Sequence, residues 1–243
     1  MNNTINTIFF DVGATLRVVV EDPDFSDQAE RKMMELVGAT CSRQEFFETL
    51  EQNWNAYRKN AKTTLLDVSE MELWTQWLLP CYPHQTIAKH SALLTKLWRD
   101  RDGRRVPRPG VRDTILELFR RGYRLGIIAN TITEYEIPNW MIEDGISPYI
   151  TTTILSAKVR FRKPDPNIYW LAARAIGSRP AECAYIGDNP KRDVEGTFAA
   201  GYGLMVRIQD LDQPSQEDPS QTHKPHHIIH QIPQLLEIFP PLK

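Results

Sequence analysis

The chain has 243 residues, 41% of them hydrophobic and 25% charged, with a formal net charge of −2. At about 150 residues per domain that length is one large domain, or one domain carrying an insertion, and the balanced composition excludes wholesale disorder. The near-zero charge predicts no nucleic-acid partner, and no apolar run approaches the ~20 residues of a membrane span, which predicts no membrane partner.

The first apolar run, Ile5 to Phe10, is short and rich in Ile and Phe and ends at Asp11-Val12-Gly13-Ala14. It reads as a buried strand feeding a loop of small residues. From about Asp24 to Arg105 the pattern becomes helical, with stretches at Gln28 to Val37, Gln44 to Tyr57, Glu70 to Leu79 and Thr86 to Trp98, and with no convincing strand. Trp54, Trp74, Trp77 and Trp98 lie here and are expected to form a small core. The turn-rich exit Val106-Pro107-Arg108-Pro109-Gly110 is expected to be a hinge.

Beyond it, helix and strand alternate. Asp113 to Arg121 has helical spacing, Tyr123 to Ala129 and Thr151 to Leu155 read as strands, and Asn167 to Ile176 is again helical. Cys183 to Ile186 is a strand, Pro190 to Ala200 a helix opened by Pro and closed by Gly201, and Gly203 to Ile208 a strand. Gln209 to Pro225 reads as a long polar loop, followed by a short strand and helix in His227 to Phe239. The alternation predicts an α/β fold, a doubly wound parallel sheet with helices on both faces. Residues 1–20 and 106–243 would form the α/β core, and residues 21–105 a helical cap domain inserted after the first strand. Cys41, Cys81 and Cys183 are widely spaced without metal-ligand spacing, and the polar N-terminus lacks signal-peptide order. Reduced thiols in a cytoplasmic protein are the expectation.

Ligands of such sheets sit beyond the carboxyl ends of the strands. Those ends carry Asp11 and Thr15, then Ala129-Asn130-Thr131, then Lys163-Pro164-Asp165-Pro166, then Gly187-Asp188 followed by Asp193. Carboxylate oxygens suit a hard cation such as Mg²⁺, a lysine would balance the remaining charge and hold an anionic substrate group, and a carboxylate can itself attack phosphorus.

With these four pieces in order, and a helical insertion after the first, the chain resembles the haloacid dehalogenase (HAD)-like hydrolases with a helical cap, over about Thr7 to Arg207. The resemblance implies a phosphatase acting on a small phosphorylated metabolite with Mg²⁺ as cofactor. Asp11 would be nucleophile and metal ligand, and the Gly13 carbonyl and Asp188 further ligands, with Asp193 assisting. Lys163 would pair with Asp11 and the transferring group, while Thr15 and Asn130 would position phosphoryl oxygens or the first loop. Two departures stand out. Family phosphatases carry a second Asp, the general acid and base, where this chain has Gly13, and Ser or Thr where it has Ala129. Loss of that acid removes roughly 10²–10⁴-fold of proton-transfer help. The alternatives are a catalytically impaired binding protein of the same fold, or carbon–halogen or carbon–phosphorus bond hydrolysis. For the last, Lys32, Lys59, Lys62, Lys89 and Lys96 are cap candidates.

Other features read as structural. Gly13 is expected to be a turn glycine with positive φ. The histidines His223, His226, His227 and His230 are expected in a surface loop entering a strand, and Arg99, Arg101, Arg104, Arg105 and Arg108 in a solvated hinge.

Overall fold

The computed structural model describes residues 4–211 and 222–242. Six parallel strands, β1 (Thr7–Phe10), β4 (Arg124–Ala129), β5 (Ile150–Leu155), β6 (Cys183–Gly187), β7 (Leu204–Ile208) and β8 (His227–Ile229), form one sheet. Among the described residues two further strands, β2 (Arg17–Val20) and β3 (Arg104–Pro107), form a separate antiparallel ribbon. The order β5-β4-β1-β6-β7-β8 puts the first strand in the middle, with the next two parallel strands on one side and the last three on the other. The order in which strands are added therefore reverses between β1 and β6, and their carboxyl ends open the crevice in which such sheets bind ligands.

Alternation along each strand divides the core into two. Ile8 and Phe10 join Ala184 and Ile186 on one face, against the helix Val111–Arg120. Phe9 joins Cys183 and Tyr185 on the other, against the helix Pro166–Ala175. The predicted parallel strands all form, within one or two residues of their expected ends.

The helices Pro23–Val37, Arg43–Thr64 and His84–Asp100 enclose their own apolar cluster, which contains Met33, Leu50, Trp74, Leu94 and Trp98. Asp22 and Ser42 cap the first two by accepting the N–H of Phe25 and Glu45. This helical layer touches the sheet layer through backbone as well as side chains. Asp67 N–H donates to Arg160 O at 2.7 Å, Arg162 N–H donates to Leu65 O at 3.1 Å, and Arg162 pairs with buried Asp67 at 2.8 Å. Among the described residues no helix is long and apolar enough to cross a membrane.

Several details differ from the sequence expectation. The exit from the helical segment is no loose hinge: Val106 and Pro107 pair with Val18 and Arg17, and Arg104 and Arg105 with Val20 and Val19. Two chain crossings run side by side here, and pairing them satisfies backbone groups that a loop would leave to water. The Glu70 to Leu79 stretch is a helical turn at Glu70–Glu72 followed by a π-helix at Leu73–Leu78. The expected single helix from Pro190 similarly divides into a π-helix at Pro190–Glu195 and a short α-helix at Gly196–Ala199. A helix at Glu136–Glu143 was not foreseen. Of the predicted polar loop, residues 212–221 lie outside the described residues.

Candidate active site

Asp11 leaves the carboxyl end of β1 with its N–H bonded to Ile186 O at 2.8 Å, so the backbones of β1 and β6 are still in register where the two strands end. Its side chain is 7% exposed and lies 3.1 Å from the Nζ of Lys163. Lys163, on the loop before the helix Pro166–Ala175, is wholly buried and donates to Asp193 Oδ1 and to the Tyr185 hydroxyl, both at 2.7 Å. The Tyr185 hydroxyl in turn donates to Ile128 O at 2.9 Å. The three N–H donors of the ammonium are thereby directed at two carboxylates and one phenol. The Lys163 backbone is held as well: Asn130 Nδ2 donates to its carbonyl at 2.9 Å, and its N–H donates to Asn130 Oδ1 at 2.8 Å. In the neighbouring Lys163-Pro164-Asp165-Pro166 motif, Asp165 is a helix cap, accepting from Asn167 N–H.

Asp193 is fully buried, and both of its oxygens are engaged, Oδ1 by Lys163 and Oδ2 by the Asn189 N–H at 2.9 Å. Gly187 makes room for it, since a Cβ there would lie 2.6 Å from Asp193 Cγ. Asp188, one residue beyond β6, differs: among the described residues its buried Oδ1 has no hydrogen-bond partner, and Arg192 stands 3.8 Å away. Oxygens of Asp11, Asp188 and Asp193 all lie within 4.8 Å of one another.

Three carboxylates thus face two cations, Lys163 and Arg192, leaving one net negative charge. Burial, reinforced by Asp193 and Asp11, pushes the Asp188 carboxyl up to about 7. Burial also raises Asp11, against the opposing pull of Lys163. Asp193 goes the other way, because Lys163 and Arg192 outweigh the effect of its burial. Hard oxygen donors, a deficit of positive charge and an orphaned buried carboxylate oxygen fit a small divalent cation such as Mg²⁺.

Asp11, Lys163, Asp188 and Asp193 are therefore brought together as the sequence anticipated. Asn130 joins them differently, since both ends of its amide bind the Lys163 backbone, making it a clamp on the lysine loop rather than on the loop after β1. Thr15 is buried, and among the described residues its hydroxyl has no hydrogen-bond partner. Gly13 is exposed, and the positive-φ expectation was wrong: the left-handed residue of this turn is Ala14, with φ 57°. A Cβ at Gly13 would meet nothing within 4 Å. Tyr185 and Arg192 were missed. Tyr185 looks like one more core residue of an apolar strand, and only the arrival of Lys163 from 22 positions away gives its hydroxyl a use.

Two cavities that share lining residues lie beside the site. One, of about 420 Å³, is bounded by Trp54, Trp98, Asn130, Thr131, Arg162 and Arg192, so two of the expected core tryptophans also face open space. The other, of about 580 Å³, shares Arg58, Arg162 and Arg192 with the first and reaches Lys163. The arginines near the ribbon are ion-paired rather than loose in a solvated hinge: Arg99 pairs with Glu136, Arg101 with Glu30, Arg104 with Asp22, Arg105 with Asp102 and Arg108 with Asp210. Three of the four C-terminal histidines are engaged, His223 with Glu195, His226 by accepting from the Met205 N–H and His230 with Gln209 O.

Comparison with known proteins bears on the family and the fold. A family model described as haloacid dehalogenase-like hydrolase matches residues 5–201. Glyceraldehyde 3-phosphate phosphatase of Methanothermobacter thermautotrophicus is 30% identical over 135 residues, covering 55% of this chain and 58% of that protein. Phosphoserine phosphatase of Thermus thermophilus is 32% identical over 102 residues, covering 42% and 41%. The chain spans about half the length of the curated relatives it matches. Among solved structures, a 2-haloacid dehalogenase from Pseudomonas syringae superposes with a TM-score of 0.70 at 17% identity, covering 97% of this chain and 98% of that one. A HAD phosphatase from Thermococcus onnurineus gives 0.62 at 19%, covering 98% and 99%. At such identities these two likenesses concern the fold alone.

Proposed function

Because the chain belongs to the haloacid dehalogenase-like hydrolase family, we propose that it is a Mg²⁺-dependent phosphatase acting on a small phosphorylated metabolite, with Asp11 as nucleophile. The observation that carries this reading is the pairing of the Asp11 carboxylate with the buried Lys163 ammonium at 3.1 Å, beside an Asp188 oxygen that has no protein partner. The phosphatase names of the relatives support the same choice.

Asp11, Asp188 and the Gly13 carbonyl would hold the metal, which when bound supplies positive charge opposite the phosphoryl oxygens. Asp193 has both oxygens engaged, so its part is to hold Lys163. An Asp11 oxygen attacks phosphorus, the P–O bond to the leaving group breaks, and an aspartyl phosphate forms. Water then attacks that phosphorus, releasing inorganic phosphate and restoring Asp11. Lys163, aimed by Asp193, Tyr185 and Asn130, balances charge on the transferring group throughout. Thr15 offers an unused hydroxyl close by in sequence. Residues 21–105 act as the cap that closes over the substrate.

With Gly13 in place of a carboxylic acid, nothing at that position protonates the departing oxygen. The enzyme therefore favours substrates whose leaving group departs as a stable anion, such as acyl or aryl phosphates. Phosphate release from a series running from aryl to alkyl phosphates, with Mg²⁺ present, tests both parts. The expected result is a rate that falls steeply as leaving-group pKa rises and is abolished by Asp11→Asn. Equal rates across the series would remove the leaving-group argument, and release unaffected by Asp11→Asn would remove the nucleophile.

The departures at Gly13 and Ala129 favour one second reading, a binding protein that keeps the pocket without turnover. It would bind phosphate with Mg²⁺ and release none from any ester. Carbon–halogen hydrolysis has less support, because Asp188 retains a buried carboxylate suited to a metal.

A further inference from the structure

The 580 Å³ cavity beside Lys163 is lined by Arg58, Lys62, Arg162, Lys163, Lys191 and Arg192, and the rest of its wall is neutral. Three of these cations are already balanced, Lys163 by Asp11 and Asp193, Arg162 by Asp67, and Arg192 by Asp188. The other three are not. Among the described residues no carboxylate pairs with Arg58, Lys62 or Lys191, and Arg58 has only the Trp54 ring, 5.8 Å from its guanidinium.

Their placement is unfavourable in the absence of an anion. Arg58 and Lys62 stand one turn apart on the helix Arg43–Thr64, where like charges oppose each other. Lys191 comes from the other layer, on the turn after β6, and faces the same space. The Lys62 ammonium is held below its ordinary value by Arg58, then by burial and by Arg162, Arg192 and Lys191, as expected for a cation crowded by its own kind. A merely solvated basic face would have no reason to gather charge from two layers around one concavity whose wall includes Lys163, the residue that pairs with Asp11. The volume lies within the roughly 300–1,000 Å³ of small-molecule sites, so it holds much more than a phosphoryl group.

We infer that the substrate carries a second anionic group, a carboxylate or a second phosphate, which Arg58, Lys62 and Lys191 receive while the scissile phosphoryl group lies beside Asp11. This rests on the phosphatase reading for the position of the first phosphate. The second anion belongs to the leaving portion, because the phosphoryl group passed to Asp11 carries only oxygens besides its phosphorus.

Binding of non-ester analogues tests the inference without requiring turnover. The purified chain with Mg²⁺ is titrated calorimetrically with propylphosphonate, 3-phosphonopropionate and propane-1,3-bisphosphonate, and so is the double variant Lys62→Met/Lys191→Met. Both lysines are exposed, so the variant keeps the fold. Two added ion pairs of modest strength make the doubly anionic ligands bind about tenfold tighter than propylphosphonate. In the double variant that preference disappears while propylphosphonate binds as before. A preference for 3-phosphonopropionate or for the bisphosphonate tells which second group the site takes. Equal affinity for all three, binding of none, or a preference that survives the double variant overturns the inference. A preference that is present and lost as described, in a chain that releases no phosphate from any ester, would leave the second anion site standing and remove only the phosphatase reading.

Discussion

Gly13→Asp is the perturbation that best separates a missing acid from a different chemistry. The structure gives it room: φ at Gly13 is outside the left-handed region and a Cβ would meet nothing within 4 Å. Replacing glycine at such a position changes stability by less than about 1 kcal/mol, and in the stabilising direction through the unfolded chain. The electrostatic cost is one more carboxylate beside a cluster with one net negative charge, which bound Mg²⁺ offsets. If the only defect is the absent proton donor, the variant gains about 10²–10⁴-fold on alkyl phosphates, equivalent to roughly 3–5 kcal/mol of barrier at about 1.4 kcal/mol per decade. Aryl phosphates, whose leaving group needs no proton, gain little. The assay is phosphate release from a matched aryl and alkyl pair, with thermal melting to establish that the variant is folded. A folded variant with no gain on the alkyl ester, or with equal gain on both, refutes the reasoning. A fall in activity would show that Gly13 takes part in a mechanism of its own.

Two further outcomes follow from the same geometry. Asp188 has its ordinary value near 3.8 in the unfolded chain and about 7 in the folded one. The folded state therefore resists its ionisation, and metal-free stability falls as pH rises through that window. A divalent cation that takes the ionised form relieves this, so saturating MgCl₂ raises Tm more at about pH 8 than at about pH 5.5. A gain equal at both pH values, or larger at the lower one, contradicts the assignment of Asp188 to the metal. Gly187→Ala would place a methyl 2.6 Å from Asp193 Cγ, which costs about 1–3 kcal/mol by overpacking. It should also lower kcat with little change in KM, because the displaced Asp193 no longer aims Lys163. An unchanged kcat would mean that Asp193 does not set the lysine's position.

Much of this was legible before any coordinates. The short apolar runs from Ile5 and Cys183 are buried on both sides, and only central strands of a covered parallel sheet require that. Asp11 and Asp188 could be placed because they follow such runs immediately, so locating the strand ends located them. The β2–β3 ribbon was not legible, because Arg104–Pro107 is only four residues long, carries two arginines and ends in proline, and becomes a strand only where Arg17–Val20 lies beside it. Asn130 was legible as a site residue but not as a clamp, since its two amide bonds go to a backbone 33 positions away.

Sequence alone determined what local pattern controls: which segments are strands, where they stop, and which acids and which lysine stand at the ends. Tertiary structure alone decided which of those groups remain free. Asp193 is engaged at both oxygens while Asp188 keeps one unpartnered, and Arg162 is neutralised by Asp67 while Lys62 and Lys191 are not. Local order depends on neighbours a few residues apart, whereas the charge balance of a buried group depends on whatever the chain brings next to it from any distance.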